Sequence, residues 1–428
     1  MSLRAEVEIE IEEIGARGDG IAHLPDGTRA FVPYTVPGDR VRARLSESDG
    51  EGIAGRAVEW LARGEGRAEP PCRHFGECGG CALQHLAPDF YAAWKRALIE
   101  TALRRRGFES PPIAPLVTAA PATRRRADFA AVRRKDDVLL GFHARASHRV
   151  VDLAECPVVA PVIAALLPPL RALLLDLLKP ADKAGVTATL TDSGLDVVLE
   201  SAIALGAGGR ERLAAFAEAQ DLARLSRRHP NARGAETVVE RRPVRMSFGG
   251  IAVDLPAGTF LQATREGEAA LTAAVLEAMG EAPRVADLYA GCGTFTFPLA
   301  MRRGVASSAH AVDGTEPAIA ALTRAAKQAG LGRVTTLVRD LARRPLNAQE
   351  LARFDAVVFD PPRAGAREQA EALAGSRVAI AVAVSCNPAT FARDARILVD
   401  GGFGLDWVRP VDQFLWSPHV ELVARFSR

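Results

Sequence analysis

No apolar run in these 428 residues is fit to cross a membrane. The longest, Val158 to Leu178, is interrupted by Pro161, Pro168, Pro169, Arg171 and Asp176, and those residues make it a poor span. No secretory leader is expected either, because Met1 to Ile14 alternates charged and apolar residues as a strand does. The expected location is the cytoplasm, where six cysteines predict thiols or metal ligands before disulfides. No internal repeat or low-complexity tract is apparent. Charge of one sign is also scarce, the net being only +2. Between Lys95 and Arg149, however, thirteen Lys/Arg face five Asp/Glu, and this asymmetry points to a polyanion partner, with a solvated basic face as the alternative.

The length predicts two or three domains. Residues 1–63 hold short alternating runs, Val7 to Ile11, Ala30 to Pro33 and Val41 to Leu45, separated by Gly18-Asp-Gly20, Asp26-Gly27 and Pro37-Gly38, a pattern that predicts a small β-barrel. Residues 64–250 read as a central α+β region opened by a charged linker. Pro88 to Gly107 has helical spacing through Phe90, Trp94, Leu98 and Leu103. Hairpins are expected from Ala127 to Val132 with Val138 to His143 and from Val186 to Thr191 with Leu195 to Glu200, and an apolar helix from Val162 to Leu178. From about Ile251 to residue 428 the pattern becomes strand and helix in alternation, with strands at Val285 to Tyr289, Ala309 to Val312, Val334 to Val338, Phe354 to Phe359 and Val378 to Val384. That alternation predicts an α/β, doubly wound, Rossmann-like sheet.

Three strand ends in this last region carry chemistry. Asp287-Leu-Tyr-Ala-Gly-Cys-Gly-Thr294 is a strand ending in a glycine turn, Asp360-Pro-Pro-Arg363 ends the Phe354 to Phe359 run, and Cys386 follows the Val378 to Val384 run. In an open α/β sheet such ends share one edge, and ligands bind there. The glycines, Gly291 among them, let the chain approach a nucleotide-like cofactor, beside Tyr289 and Thr294. Asp313 can take ribose hydroxyls, and Asp340 falls where a carboxylate can reach the adenine or merely cap a helix. Thr296 occupies the sixth position of the glycine motif, so a methyl-donor site is favoured over a nicotinamide site.

Asp360-Pro-Pro-Arg363 is related to the Asp/Asn-Pro-Pro-aromatic motif of amine methyltransferases, but Arg363 stands where the aromatic residue would stack on a base. The alternative target is C5 of a pyrimidine. That carbon becomes nucleophilic when a thiolate adds at C6, and a base must then remove the C5 proton. Cys386 and Glu421 supply the two groups, unless they are a core thiol and an exposed strand charge. Separately, Cys72, Cys78 and Cys81 lie within ten residues among Gly76, Gly79 and Gly80, with Cys156 as the available fourth thiol. Four thiolates suit a [4Fe–4S] cluster or structural zinc.

Taken together, Asp360 to Gly365, Val384 to Thr390 and His419-Val-Glu421 resemble the RNA 5-methyluridine methyltransferase family, which is S-adenosylmethionine-dependent. Gly15 to Gly20 and Phe31 to Asp39 resemble the TRAM domain, an OB-like RNA-binding barrel, although residues 1–63 carry eight basic and twelve acidic residues. With the four cysteines, the resemblance extends to the RlmD-type 23S rRNA enzymes and covers nearly the whole chain. It implies Cys386 as nucleophile, Glu421 as base, Asp360 as a pocket carboxylate and Gln262 as a cofactor and uracil contact. It also implies S-adenosylmethionine, a [4Fe–4S] cluster, an RNA substrate and a helix 88–107 attached to the catalytic domain. Alternatives are a tRNA T-loop uridine as target and a non-catalytic RNA-binding iron–sulfur protein. Thr294 and Asp313 depart from the family's usual Asn and Glu.

Overall fold

The computed structural model describes residues 6–46, 52–232, 234–302 and 307–428. Three large sheets follow one another along the chain. The first has six strands, in the order Glu6–Glu10, Arg40–Ser46, Ile53–Ala62, Arg29–Pro33, Asp19–His23 and Glu13–Ile14. Alternation along these strands turns Ile9, Ala22, Ala30, Val32, Val41 and Ala43 into one buried core. Two of its arginines are engaged by its own acids, Arg44 with Glu6 at 2.7 Å and Arg42 with Glu8 at 3.2 Å. Those cations are shared with carboxylates before any phosphate arrives.

The second sheet has seven strands, ordered Val150–Asp152, Val138–His143, Arg126–Arg133, Lys183–Thr191, Gly194–Ser201, Arg224–Arg228 and Glu236–Glu240. Both expected hairpins are present in it. The apolar stretch from Val162 differs from expectation, because it forms two helices, Pro161–Ala164 and Leu167–Leu177. Pro168 and Pro169 lack the N–H that a continuous helix would require there, and they sit instead in the first turn of the second helix, where that group has no helical partner.

The third sheet positions the site. Its strands are β1 (Arg284–Leu288), β2 (Ser308–Asp313), β3 (Val334–Val338), β4 (Ala356–Phe359), β5 (Ile380–Ser385), β6 (Gly404–Asp412) and β7 (Glu421–Ser427), in the spatial order β3-β2-β1-β4-β5-β7-β6. β1 to β5 are mutually parallel, and every residue of β4 is buried, as expected of a strand covered on both faces. β7 alone runs the other way, pairing antiparallel with β5 and β6. This reversal brings the start of β7 beside the ends of β5 and β6, so Glu421 is placed opposite Val411 and next to the Ser385–Leu422 pair.

The sheet recruits earlier chain. Val117–Thr118 pairs with β6 as an eighth strand, and the hairpin Arg245–Phe248 with Ile251–Asp254 packs on helix Glu316–Gln328, although residue 251 was the expected boundary. Helix Pro88–Arg104, ended by Gly107 at φ +83°, lays Ile99 and Leu103 into the core of the third sheet. Both side chains are fully buried, each contributing about 1.5–3 kcal/mol. Among the described residues no helix is long and apolar enough to cross a membrane.

Candidate active site

The ends of β1, β2, β4, β5 and β6 and the start of β7 form one edge, and all the expected catalytic residues lie on it. Cys386 follows β5 directly. Asn387 then caps helix Pro388–Asp400, its side chain accepting from the Ala389 N–H, and Pro388 begins the helix. The Asn387 amide and the Thr390 hydroxyl both donate to the Arg363 carbonyl, at 3.0 and 3.2 Å. The loop of the thiol is thus tied to the loop of Asp360.

Asp360 is joined to Glu421 by two glutamines. Gln262 Nε2 donates to Asp360 Oδ2 at 3.2 Å, Gln413 Nε2 donates to Gln262 Oε1 at 2.6 Å, and Gln413 Nε2 also donates to Glu421 Oε2 at 3.2 Å. Gln262, Gln413 and Glu421 are all buried. Burial pushes both carboxyls above the ordinary range, and each glutamine's N–H opposes that on the carboxylate it reaches; the negative charge of Asp360 pushes Glu421 further up. The Cys386 thiol is raised to about 11 by burial first, then by Glu421 and Asp360, with the Arg363 guanidinium acting against them. Arg363 lies 3.3 Å from His419 Nδ1, and burial with nearby cations lowers His419 to about 4, leaving a neutral ring.

The glycine turn after β1 is open where a cofactor would need it. Tyr289, Gly291 and Gly293 adopt φ of 63°, 55° and 99°, and a Cβ built on Gly291 would meet no heavy atom within 4 Å. Asp313 accepts the Gly291 N–H at 3.0 Å on one oxygen and the Thr315 N–H at 2.6 Å on the other, which leaves lone pairs on both for hydroxyl donors. The fit to a nucleoside is therefore good at this end. Thr294 is half-buried in the same turn, while Asp340 is exposed and caps its own loop by accepting the Ala342 N–H. Behind the turn, buried Asp287 accepts from the Thr296 hydroxyl at 2.5 Å and is raised to about 7 by burial.

A family profile described as conserved hypothetical protein 95 matches residues 270–379, and the TRAM domain profile matches residues 3–53. An RNA methyltransferase of Brucella suis is 46% identical over 422 residues, 98% of each chain. The 23S rRNA (uracil(1939)-C(5))-methyltransferase RlmD of Chromohalobacter salexigens is 34% identical over 430 residues, covering 98% of this chain and 89% of that one. The chain belongs to the RNA uracil-C5 methyltransferase family. The fold agrees: the tRNA (uracil-54, C5)-methyltransferase of Pyrococcus abyssi, solved with S-adenosyl-L-homocysteine, superposes with a TM-score of 0.74 at 22% identity, over 98% of this chain and all of that one. The protein is thus an S-adenosylmethionine-dependent RNA methyltransferase with an N-terminal TRAM domain.

In this methyltransferase the four remaining thiols are neighbours. Burial raises Cys72, Cys78 and Cys81, the last to about 12, and the charge of Cys156 adds to the rise of each, with Cys72 and Cys78 adding to that of Cys81. The loop approaches the central sheet closely at Gly79, where a Cβ would fall 2.8 Å from the His143 carbonyl. Among the described residues, no three His, Cys, Asp or Glu side chains stand in a group that could hold a metal ion as placed.

Two features escape a reading of the sequence. Gln413 is one. The other is Lys95, a fully buried cation whose Nζ lies 2.8 Å from Asp412 Oδ1 and also donates to the His419 carbonyl. The sequence places Lys95 in a basic face, and the structure corrects that expectation for several of its cations. Arg125 is buried against Gln262 O and Glu268, Arg124 lies over the Phe414 ring, and Arg126 donates to Thr259 O. These groups tie the central sheet to the edge that carries the site, and the charge of Arg125 is paired inside the protein with Glu268.

Proposed function

We propose that this enzyme methylates C5 of one uridine in structured RNA, with 23S rRNA as the substrate, through a covalent bond between Cys386 and C6. The observation that carries the reading is the convergence of Cys386, Asp360 and Glu421 on one edge, with a hydrogen-bonded path between the carboxyls. S-adenosylmethionine, when bound, supplies the methyl group. Cys386 adds to C6 with its proton passing to water as the S–C6 bond forms, and the C5–C6 π electrons move onto C5 and the C4 carbonyl oxygen; a standing thiolate is disfavoured among carboxylates at a thiol raised to about 11. C5 gains nucleophilic character and takes the methyl group. Glu421 then removes the C5 proton, the C5–C6 double bond re-forms, and the Cys386 thiolate leaves. Asp360 faces the pyrimidine from the β4 loop, while Gln262, Tyr289, Gly291, Thr294, Asp313 and Asp340 line the cofactor side.

The choice of 23S rRNA follows the relative at 34% identity, whose name specifies uracil 1939. The tRNA enzyme shares the fold at 22% identity, so a tRNA T-loop uridine is the second reading. Mapping 5-methyluridine in rRNA and tRNA from a deletion strain separates them: a methyl group missing from tRNA alone would overturn the rRNA assignment. For the chemistry, Cys386→Ala should give neither product nor RNA adduct. Glu421→Gln should accumulate an adduct already carrying labelled methyl, seen as a slow band on a denaturing gel.

For Cys72, Cys78, Cys81 and Cys156 the reading is a [4Fe–4S] cluster. Four thiols supply the donor set, and a single zinc ion with Zn–S bonds of about 2.3 Å would require tighter grouping than a cluster does. Protein purified without oxygen should be brown and hold iron. Stoichiometric zinc without iron would remove the cluster and keep the four-thiolate site.

A further inference from the structure

Gln413 lies one residue beyond β6 with only 2% of its surface exposed, and each polar atom of its side chain is committed. Its Oε1 accepts the Ala263 N–H at 2.7 Å. A backbone N–H can only donate, so this contact fixes which end of the amide is oxygen. The Nε2 end must then face Gln262 Oε1 and Glu421 Oε2, one N–H for each. Gln262, accepting at Oε1, is forced in turn to present its Nε2 to Asp360. Helix Arg265–Met279 presses on Gln413 through Gly267, where a Cβ would fall 2.7 Å from the Gln413 Cβ. The side chain has no room to swing away.

We infer that Gln413 is a positioning residue for proton removal: by donating to Glu421 Oε2 it holds the carboxylate so that Oε1 is the oxygen presented to the C5 proton. This rests on the proposed role of Glu421. In that step the C5–H bond breaks, its proton goes to Oε1, its electron pair forms the C5–C6 double bond, and the C6–S bond breaks with the electrons leaving on Cys386. Gln413 touches none of the reacting atoms. Its work is done on the orientation of the carboxylate, and the Gln413 N–H also favours the ionised form of Glu421.

The test is Gln413→Met, which keeps the bulk and removes both donors, and Gln413→Glu, which keeps the shape and places an acceptor against Glu421. In single-turnover reactions with labelled methyl donor, methyl should reach the RNA normally in both variants. Release from the enzyme should slow about tenfold or more, the loss of one hydrogen bond to a charged group. A methylated protein–RNA band should accumulate with KM for RNA unchanged, and the acid limb of the release rate should move to higher pH. Wild-type release, or a raised KM without adduct, would overturn the inference. Glu421→Gln run alongside separates the two failures. If it forms no methylated adduct, the proposed chemistry falls; if it does and the Gln413 variants do not, only the positioning role falls.

Discussion

Cys386 and Cys81 are both thiols raised by burial, to about 11 and about 12, yet their surroundings ask for opposite things. Around Cys386 the other influences are two carboxyls and one guanidinium, and those carboxyls are already joined by hydrogen bonds through Gln262 and Gln413. In the proposed mechanism, negative charge on that sulfur is needed only while the thiol attacks and when it leaves. Around Cys81 the other charges are those of Cys156, Cys78 and Cys72. Four like charges there cannot persist without a cation in their midst. One site is assembled in advance of its substrate, and the proposed four-thiolate site would be completed by what it binds.

Exchanging sulfur for oxygen at each place tests this contrast most strongly. Cys386→Ser should lower turnover on the order of 10³-fold or more while leaving iron content unchanged. Cys81→Ser should lose iron and soluble yield, measured by metal analysis and fractionation. Iron loss in the first variant, or full iron in the second, would merge the two sites into one. Lys95 sharpens the comparison, because it packs beneath the 412–421 loop that carries Gln413 and Glu421. Lys95→Met leaves Asp412 buried without its cation and should cost about 3–5 kcal/mol in urea unfolding. An unchanged midpoint would show that the ion pair does not hold the loop.

Asp287 gives a pH signature. Its carboxyl is raised in the folded state to about 7, so between about pH 4 and 7 the folded state binds the extra proton, and stability falls as pH rises through that window. Asp287→Asn keeps an acceptor for Thr296 and removes the ionisation. The variant should match the wild type near pH 4.5 and exceed it at pH 8 by on the order of a few kcal/mol. Parallel curves would refute this. The smallest effect is expected at exposed Asp340, where Asp340→Ala should leave stability within about 0.5 kcal/mol and change KM for the methyl donor only a few-fold.

The sequence discloses residues whose position follows from a strand end. Asp287, Asp360 and Cys386 are readable because an apolar run stops just before or beside each. Glu421 is reached through the family motif, and its placement depends on the reversed strand β7. Gln413 is invisible in that way: its partner Gln262 is 151 residues distant, and an amide after a strand carries no signal of its own. The arginines at 124–126 mislead for a related reason. Counting charge along a chain says nothing about burial, and Arg125 is 1% exposed. The helix break at Pro168 and Pro169 was available in the sequence, since both prolines interrupt the apolar run.

The placement of helix Pro88–Arg104 has a consequence for how the chain is made. Lys95 and Tyr91 precede their partner Asp412 by 317 and 321 residues. At a synthesis rate of about 5–20 residues per second, the helix leaves the ribosome roughly 15–60 s before the strand end it must meet. Throughout that interval Ile99 and Leu103 have no catalytic core to enter, and the Lys95 ammonium has no carboxylate. A nascent chain of this enzyme therefore carries an apolar stripe and an unmatched cation until the strand end at Asp412 has emerged.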